Sequence, residues 1–397
     1  MSFWHLPAFL TSAFAALACW LHKKSAARLP RLLFGLLFGR GRRTVTSWFR
    51  AAGITDDFRP AYDTVCAVGR QTSSMAVSLL LTLQPLLQRQ GPRLRVAIDD
   101  TPTPRYGPCV EGAGIHHNPT PGPAGEKHVY GHVWVTLAAL VHHPDWDTLA
   151  LPLQAQLYIR AADLDDLPPD RRRPFRTKLE MAAEQLAWLD TWLGTAFAER
   201  WAVVDGAFAK RPFLRPARAH HFTVVSRLRK DAALWSLPKP IPVGQKRPPG
   251  RPPTYGKQRL SLAKRAGQKR GWQQVECVQY GEKVTKTIKT FLATWHPGGG
   301  IIRVVIVQEE EGWLPYFCVD AQVSAVEILE AMADRGAIEQ TNKDVKEVWG
   351  AGQQQVRNVY SSEGCFNLNL WLYSLVEAWA WSRPEEEAAW SHLQSGK

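Results

Sequence analysis

The chain has 397 residues, of which 45% are hydrophobic, and its formal net charge at pH 7 is +13. A chain of this length can bury large cores and is expected to form two or more domains. Its six cysteines are scattered without a C-x-x-C pair. This spacing argues against a disulfide framework and a zinc knuckle, and it fits a reducing cytosol.

The charge is unevenly distributed along the chain. Residues 1–98 carry 13 Lys and Arg against 3 Asp and Glu, and residues 206–270 carry 17 against 1. Residues 308–397 carry 6 against 15. The two basic blocks predict surfaces that bind a polyanion, and nucleic acid is the natural candidate because each neutralised phosphate releases counterions. The acidic block is a candidate for holding cations.

The first predicted elements are helices, which together form an N-terminal helical domain over residues 1–90. Residues 3–21 are apolar, but no positive region precedes them and Pro7 interrupts them, so we expect no membrane anchor. Further helices are predicted at residues 44–53, where Thr44 or Thr46 is a suitable N-cap, and at residues 72–90. Exposed arginines in this block would let it read DNA in the manner of a helix-turn-helix: Arg42, Arg43 and Arg50.

A predicted strand over residues 93–98 alternates apolar and polar side chains and runs into Asp99 and Asp100. The elements expected after it are strands at residues 132–141 and 148–160, a helix at 175–197, and a short apolar strand at 201–204 that ends in Asp205. Three successive strands, a helix and a further strand are the layout of the ribonuclease H-like fold. The expected class is therefore α/β, with a mixed sheet.

Two strands about a hundred residues apart thus end in carboxylates, Asp99 and Asp205. Two-metal phosphoryl chemistry needs oxygen ligands that converge from separate elements. A third candidate, Glu339, lies in a helix-like segment with Arg335 and Lys346, and these three side chains project within roughly 40° of one another. The alternative for this stripe is a solvated face held by salt bridges.

The spacing R-x3-E-x6-K from Arg335 through Glu339 to Lys346 resembles a signature of the DDE transposases of bacterial insertion sequences, Y-x2-R-x3-E-x6-K. Met332 stands where that signature has tyrosine. The resemblance also covers residues 96–101, 201–208 and 301–320. It implies that Asp99, Asp205 and Glu339 are catalytic and hold two Mg²⁺ ions, with Mn²⁺ as a substitute, while Arg335 and Lys346 contact DNA.

Two aspartates compete for the first ligand position. In the family the first acid commonly follows the apolar strand directly and precedes a small residue and a threonine, which favours Asp99. Asp100 would point to the opposite face of an extended chain, where its role would be a turn or capping contact.

The interval between Asp205 and Glu339 is too long for a plain ribonuclease H-like core. The resemblance implies a β-rich insertion, which we place at residues 231–300, between core segments 91–230 and 301–397. A proline-dense basic stretch in the insertion could follow DNA phosphates or be a solvated linker. Its candidate contacts are Lys246, Arg247 and Arg251.

The expected function is therefore a Mg²⁺-dependent transposase that cleaves DNA at transposon ends and joins them to target DNA. The expected partners are DNA and a second copy of the chain in a synaptic homodimer, in the bacterial cytoplasm at the nucleoid. Two alternatives stay open. One is an inactive or domesticated DNA-binding relative, and the other is a ribonuclease H-like nuclease or resolvase.

Overall fold

A computed structural model describes residues 6–118, 125–239 and 250–381. The N-terminal block is helical, as the sequence predicts. Its helices are α1 (Ala8–Ala18), α2 (Lys23–Phe38), α3 (Val45–Ala51), α4 (Arg59–Arg70) and α5 (Thr72–Arg89). Thr44 caps α3, because its hydroxyl accepts a hydrogen bond from the Ser47 amide at 3.2 Å. No helix within the described ranges has the length and apolar character needed to cross a membrane.

The first half of the sheet follows the predicted order of elements. Its strands and helices are β1 (Arg93–Pro104), β2 (Gly114–His117), β3 (His128–His143), β4 (Asp147–Tyr158), α6 (Lys178–Leu193), β5 (Glu199–Val204), α7 (Arg211–Ala219) and β6 (Phe222–Arg227). Strand β1 pairs antiparallel with β3 and parallel with β5, which is itself parallel to β6. With β4 on the far side of β3, this is a mixed α/β sheet compatible with the ribonuclease H-like fold, and the predicted fold class is confirmed.

The segment after β6 extends this sheet. Its elements are β7 (Leu234–Trp235), β8 (Arg259–Leu260), α8 (Leu262–Gly267), β9 (Gln273–Gln279) and β10 (Glu282–Trp295), followed by β11 (Gly300–Glu309) and β12 (Gly312–Cys318). Strand β12 pairs antiparallel with β6, and β11 and β10 follow it in order. The described strands therefore form one twelve-stranded sheet. The boundaries at residues 231 and 301 stay predictions.

Three helices complete the chain: α9 (Ala325–Asp334), α10 (Gly336–Glu347) and α11 (Val359–Trp381). Alternation along β1 directs Leu94, Val96 and Ile98 into a core shared with α6, α7, α11 and the N-terminal helices. Ala97 faces the other side of the sheet, where α9 and the start of α10 pack. The two faces of the sheet are thus covered by different helices.

Helices α4 and α11 cross in very close contact at two glycines. A Cβ atom on Gly69 would lie 1.7 Å from the carbonyl oxygen of Tyr360, and one on Gly364 would lie 2.2 Å from that of Val65. Neither site has room for a methyl group, because the obstructing atoms are backbone. This contact fixes the N-terminal helices against the helix that covers the sheet.

We therefore expect Gly69→Ala to lower the free energy of unfolding by about 1–3 kcal/mol, because the helices must separate to admit the methyl group. Gly267→Ala is the matched control, since a Cβ at Gly267 meets nothing within 4 Å. Denaturant unfolding of both variants measures the difference. Equal stability of the two variants would contradict the close packing.

Candidate active site

Two candidate carboxylates lie at the same edge of the sheet because their strands are paired in register. Ile98 of β1 is opposite Val204 of β5 in the parallel ladder. Asp99 comes next in β1, which continues beyond the predicted strand end to Pro104, and Asp205 directly follows β5. Neighbouring strands are about 4.8 Å apart, so this pairing brings the two aspartates together from positions a hundred residues apart in sequence.

Asp99 faces the side of the sheet that α9 and α10 cover. Its Oδ2 accepts a hydrogen bond from Asn342 Nδ2 at 3.2 Å, and its Oδ1 lies 3.8 Å from Arg335 Nη2. Burial raises the pKa of Asp99 to about 6, against the opposing effect of the Arg335 charge. The negative charges of Asp100 and Glu339 raise it further. Asp99 therefore lies in a pocket where further positive charge would be favourable.

Asp100 points to the opposite face. Its Oδ2 accepts a hydrogen bond from Lys178 Nζ at 2.5 Å, at the start of α6. Of the two adjacent aspartates, Asp99 is the one beside α10. Which of them acts in catalysis stays a prediction.

Asp205 is half-buried, and its Oδ2 accepts a hydrogen bond from the amide of Ala207 at 3.1 Å. This local turn leads from β5 toward α7. In the described part of the chain, Oδ1 of Asp205 has no hydrogen-bond or ion-pair partner.

Arg335 lies between two carboxylates. It is the junction residue of α9 and α10 rather than part of one unbroken helix. Its Nη1 donates to Glu339 Oε1 at 2.6 Å, while Nη2 approaches Asp99. The Arg335 side chain is only 12% exposed, whereas that of Glu339 is 59% exposed. The salt bridge expected for a solvated stripe is therefore present, but it also connects Glu339 to Asp99, a half-buried aspartate of the sheet.

Lys346 is separate from that ion pair. Its Nζ donates to the Thr101 hydroxyl at 2.9 Å, and burial lowers the pKa of Lys346. Lys346 also lines a cleft of about 770 Å³ together with Arg42, Tyr106 and Arg357. The predicted common stripe is therefore divided, with Lys346 directed into this cleft.

The remaining predicted contacts differ in position. Arg42 and Arg50 are exposed, as predicted. Arg43 is half-buried, so its predicted exposure is wrong. Arg43 Nη1 donates to the carbonyl of Leu36 at 2.7 Å, and its backbone amide donates to Gln353 Oε1 at 2.9 Å, so it joins the helical block to the core. Arg251 is exposed. Lys246 and Arg247 lie outside the described residues.

Sequence reasoning missed two polar residues that organise the site, Asn342 and Thr101. Asn342 Oδ1 is buried and has no hydrogen-bond partner in the described structure. An asparagine in a helix carries no sequence signal for this role, although its position three residues after Glu339 places it on the same helix face. Met332, in the tyrosine position of the signature, is half-buried against the core under α9.

The donor set fits hard divalent cations, because the three carboxylates and the unpartnered Asn342 oxygen are all oxygen ligands. As the side chains stand, no three His, Cys, Asp or Glu residues in the described part of the chain are gathered closely enough to hold a metal ion. Two of the three acids have other partners: Glu339 accepts a hydrogen bond from Arg335, and Asp205 accepts one from the amide of Ala207. Binding a cation between the acids would require Glu339 to leave Arg335.

We expect Arg335→Gln to destabilise the metal-free protein by about 1–3 kcal/mol, because the half-buried carboxylate of Asp99 loses the counter-charge of Arg335. Arg229→Gln is the matched control, since Arg229 and its partner Asp231 are 78% and 69% exposed. Denaturant unfolding in the presence of a chelator should show a clearly lower free energy of unfolding for Arg335→Gln and little change for Arg229→Gln. Equal shifts would mean that the Arg335 contacts contribute no more than a surface ion pair.

A comparison with known families places this site in context. A family model described as DDE superfamily endonuclease matches residues 16–297, which is more than half of the chain. The match includes Asp99 and Asp205 and ends before Glu339. No curated protein matches the chain. The chain therefore belongs to the DDE superfamily endonucleases, a family of metal-dependent enzymes that act on DNA.

Proposed function

We propose that this protein is a transposase that cuts DNA at the ends of a mobile element and joins those ends to target DNA. The observation that supports this proposal is the parallel register that brings Asp99 and Asp205 to one end of the paired strands, together with the contacts of Arg335 to both Asp99 and Glu339. The R-x3-E-x6-K spacing favours a transposase over other nucleases of the family.

In this proposal Asp99, Asp205 and Glu339 hold two divalent cations, and Mg²⁺ suits their oxygen-only donor set, with Mn²⁺ as a substitute. When bound, the cations supply charge neutralisation of the scissile phosphate and acidification of the attacking water. Asn342 keeps the Asp99 carboxylate in orientation through its 3.2 Å hydrogen bond. Arg335, once released by Glu339, is free to bind a phosphate oxygen in bidentate fashion.

The reaction has two phosphoryl transfers. In the first, the oxygen of water attacks the scissile phosphorus and the bond to the 3′ oxygen breaks, which leaves a 3′-hydroxyl and a 5′-phosphate. In the second, that 3′-hydroxyl attacks a phosphorus of target DNA or of the opposite strand and displaces another 3′ oxygen. The same carboxylates serve both steps, because each step needs charge stabilisation at an attacking and a leaving oxygen.

Lys346 and the cleft beside it would hold the DNA end. The ammonium of Lys346 is already fixed by Thr101, two residues after Asp99. Arg42 and Arg357 add positive charge around the same cleft. The N-terminal block thus contributes Arg42 to the site, and exposed Arg50 extends the basic surface.

A mobile element has two ends, so we propose that two copies of the chain act together as a homodimer when the ends are paired. We also propose that the protein acts in the bacterial cytoplasm, at the nucleoid, where its DNA substrate would be.

The test is a combined cleavage and joining assay with the element's terminal repeats, a target plasmid and Mg²⁺. Wild-type protein should give both nicked ends and joined products. Asp99→Asn should reduce cleavage by at least about three orders of magnitude, while Asp100→Asn, its neighbour on the other face, should keep most activity. Binding of the ends by Asp99→Asn serves as the control for folding.

Two results would overturn parts of this proposal. Cleavage without joining would indicate a nuclease or resolvase, and end binding without cleavage would indicate an inactive relative. An active Asp99→Asn beside an inactive Asp100→Asn would shift the catalytic position by one residue.

A further inference from the structure

A row of arginines on α7 lies apart from the carboxylates. Arg211, Arg215 and Arg218 are spaced i, i+4 and i+7, so they lie within about 60° on one face of the helix and span about 10 Å. All three are exposed, while the opposite face of α7 buries Phe213 and Leu214.

A fourth arginine from the insertion meets the end of this row. Arg215, Arg218 and Arg251 line a cleft of about 660 Å³ together with Tyr255 and the turn between β10 and β11. Arg218 Nη1 donates to the carbonyl of Gly298 in that turn at 3.4 Å. We call Arg211, Arg215, Arg218 and Arg251 the arginine track.

The arginine track has no acidic partner in the described part of the chain. Residues 206–270 contain one acid, Asp231, and it pairs with Arg229. Among the described residues, the track makes one polar contact, the weak bond of Arg218 to Gly298. Four guanidinium groups held together without a counter-charge repel one another, and a bound polyanion relieves that repulsion.

The position of the track separates it from the active site. Helix α7 packs on the face of the sheet opposite the face of Ala97 and α9. Its second half returns toward the amino ends of β5 and β6, whereas Asp205 follows the carboxyl end of β5. Six residues of β5 span about 20 Å, so the cleft at Arg251 lies roughly that far along the sheet from the carboxylates.

We propose that the arginine track binds the phosphate backbone of a second DNA duplex, distinct from the duplex at the carboxylates. A stripe about 10 Å long covers about three phosphates of one strand at 3.4 Å of axis per phosphate. Guanidinium groups bind phosphate oxygens in bidentate fashion, without reading sequence. The inference rests on DNA being the substrate and does not require strand transfer.

The test counts duplexes per protomer with the full chain and a 16-bp duplex of arbitrary sequence, by sedimentation in a chelator at low salt. Wild-type protein should bind two duplexes per protomer. The triple variant Arg215→Gln/Arg218→Gln/Arg251→Gln should bind one, because its second site loses three phosphate contacts, which contribute about 2.7 to the log–log salt slope of that binding event at about 0.9 per phosphate.

The matched control removes three exposed cations elsewhere, with Arg59→Gln/Lys127→Gln/Lys283→Gln. It should keep two duplexes per protomer, since net charge falls equally but the track is intact. If the triple variant does not fold, Arg251→Gln alone should reduce the log–log salt slope for binding of the second duplex by about 0.9. A single duplex on wild-type protein, a triple variant that keeps both duplexes, or an equal loss in the control would overturn the proposal.

Because the count is made without divalent cations, it is independent of catalysis. A protein that fails to cut or join DNA would still give the two-duplex result. Failure of the track and failure of the transposase proposal are therefore distinguishable.

Discussion

The parallel pairing of β1 with β5 is the constraint on which the candidate site depends. Ile98 and Val204 are both fully buried and opposite each other, so the register cannot slip without exposing one of them. Their successors, Asp99 and Asp205, are therefore fixed at one edge of the sheet. Adjacent side chains of a strand point to opposite faces of the sheet, so Asp99 faces α10 while Asp100 faces α6. A shift of one residue in β1 would exchange these two positions.

Arg335 provides the second organising contact, because it balances the charges that the fold brings together. It joins the start of α10 to the sheet through Asp99 and binds Glu339 on its own helix turn. Glu339, one of the acids of residues 308–397, thus joins a site whose surroundings are basic, with Lys346 and Arg42 lining the same cleft. If Glu339 released Arg335 and bound divalent cations instead, the ion pair would be replaced by a metal site.

Much of the fold could be predicted because its helices and strands follow from local sequence patterns. The alternation around β1 and the apolar run of β5 gave the positions of Asp99 and Asp205, and Thr44 was a recognisable cap. Contacts between distant segments could not be predicted in this way. The burial of Arg43 depends on Gln353, and α7 begins and continues through Pro212 and Pro216, which mask a helical pattern. The attachment of the insertion to β6 through β12 likewise depends on pairing between strands far apart in sequence.

The central claim is that Asp99, Asp205 and Glu339 form one cation site although they come from three separate elements. Binding of Mn²⁺ followed by electron paramagnetic resonance tests it most directly, because it requires no DNA. We expect Asp99→Asn, Asp205→Asn and Glu339→Gln each to weaken Mn²⁺ binding by at least about tenfold, or about 1.4 kcal/mol, while Asp100→Asn binds like wild type. Unchanged binding in the three variants, or a loss confined to Asp100→Asn, would contradict the account.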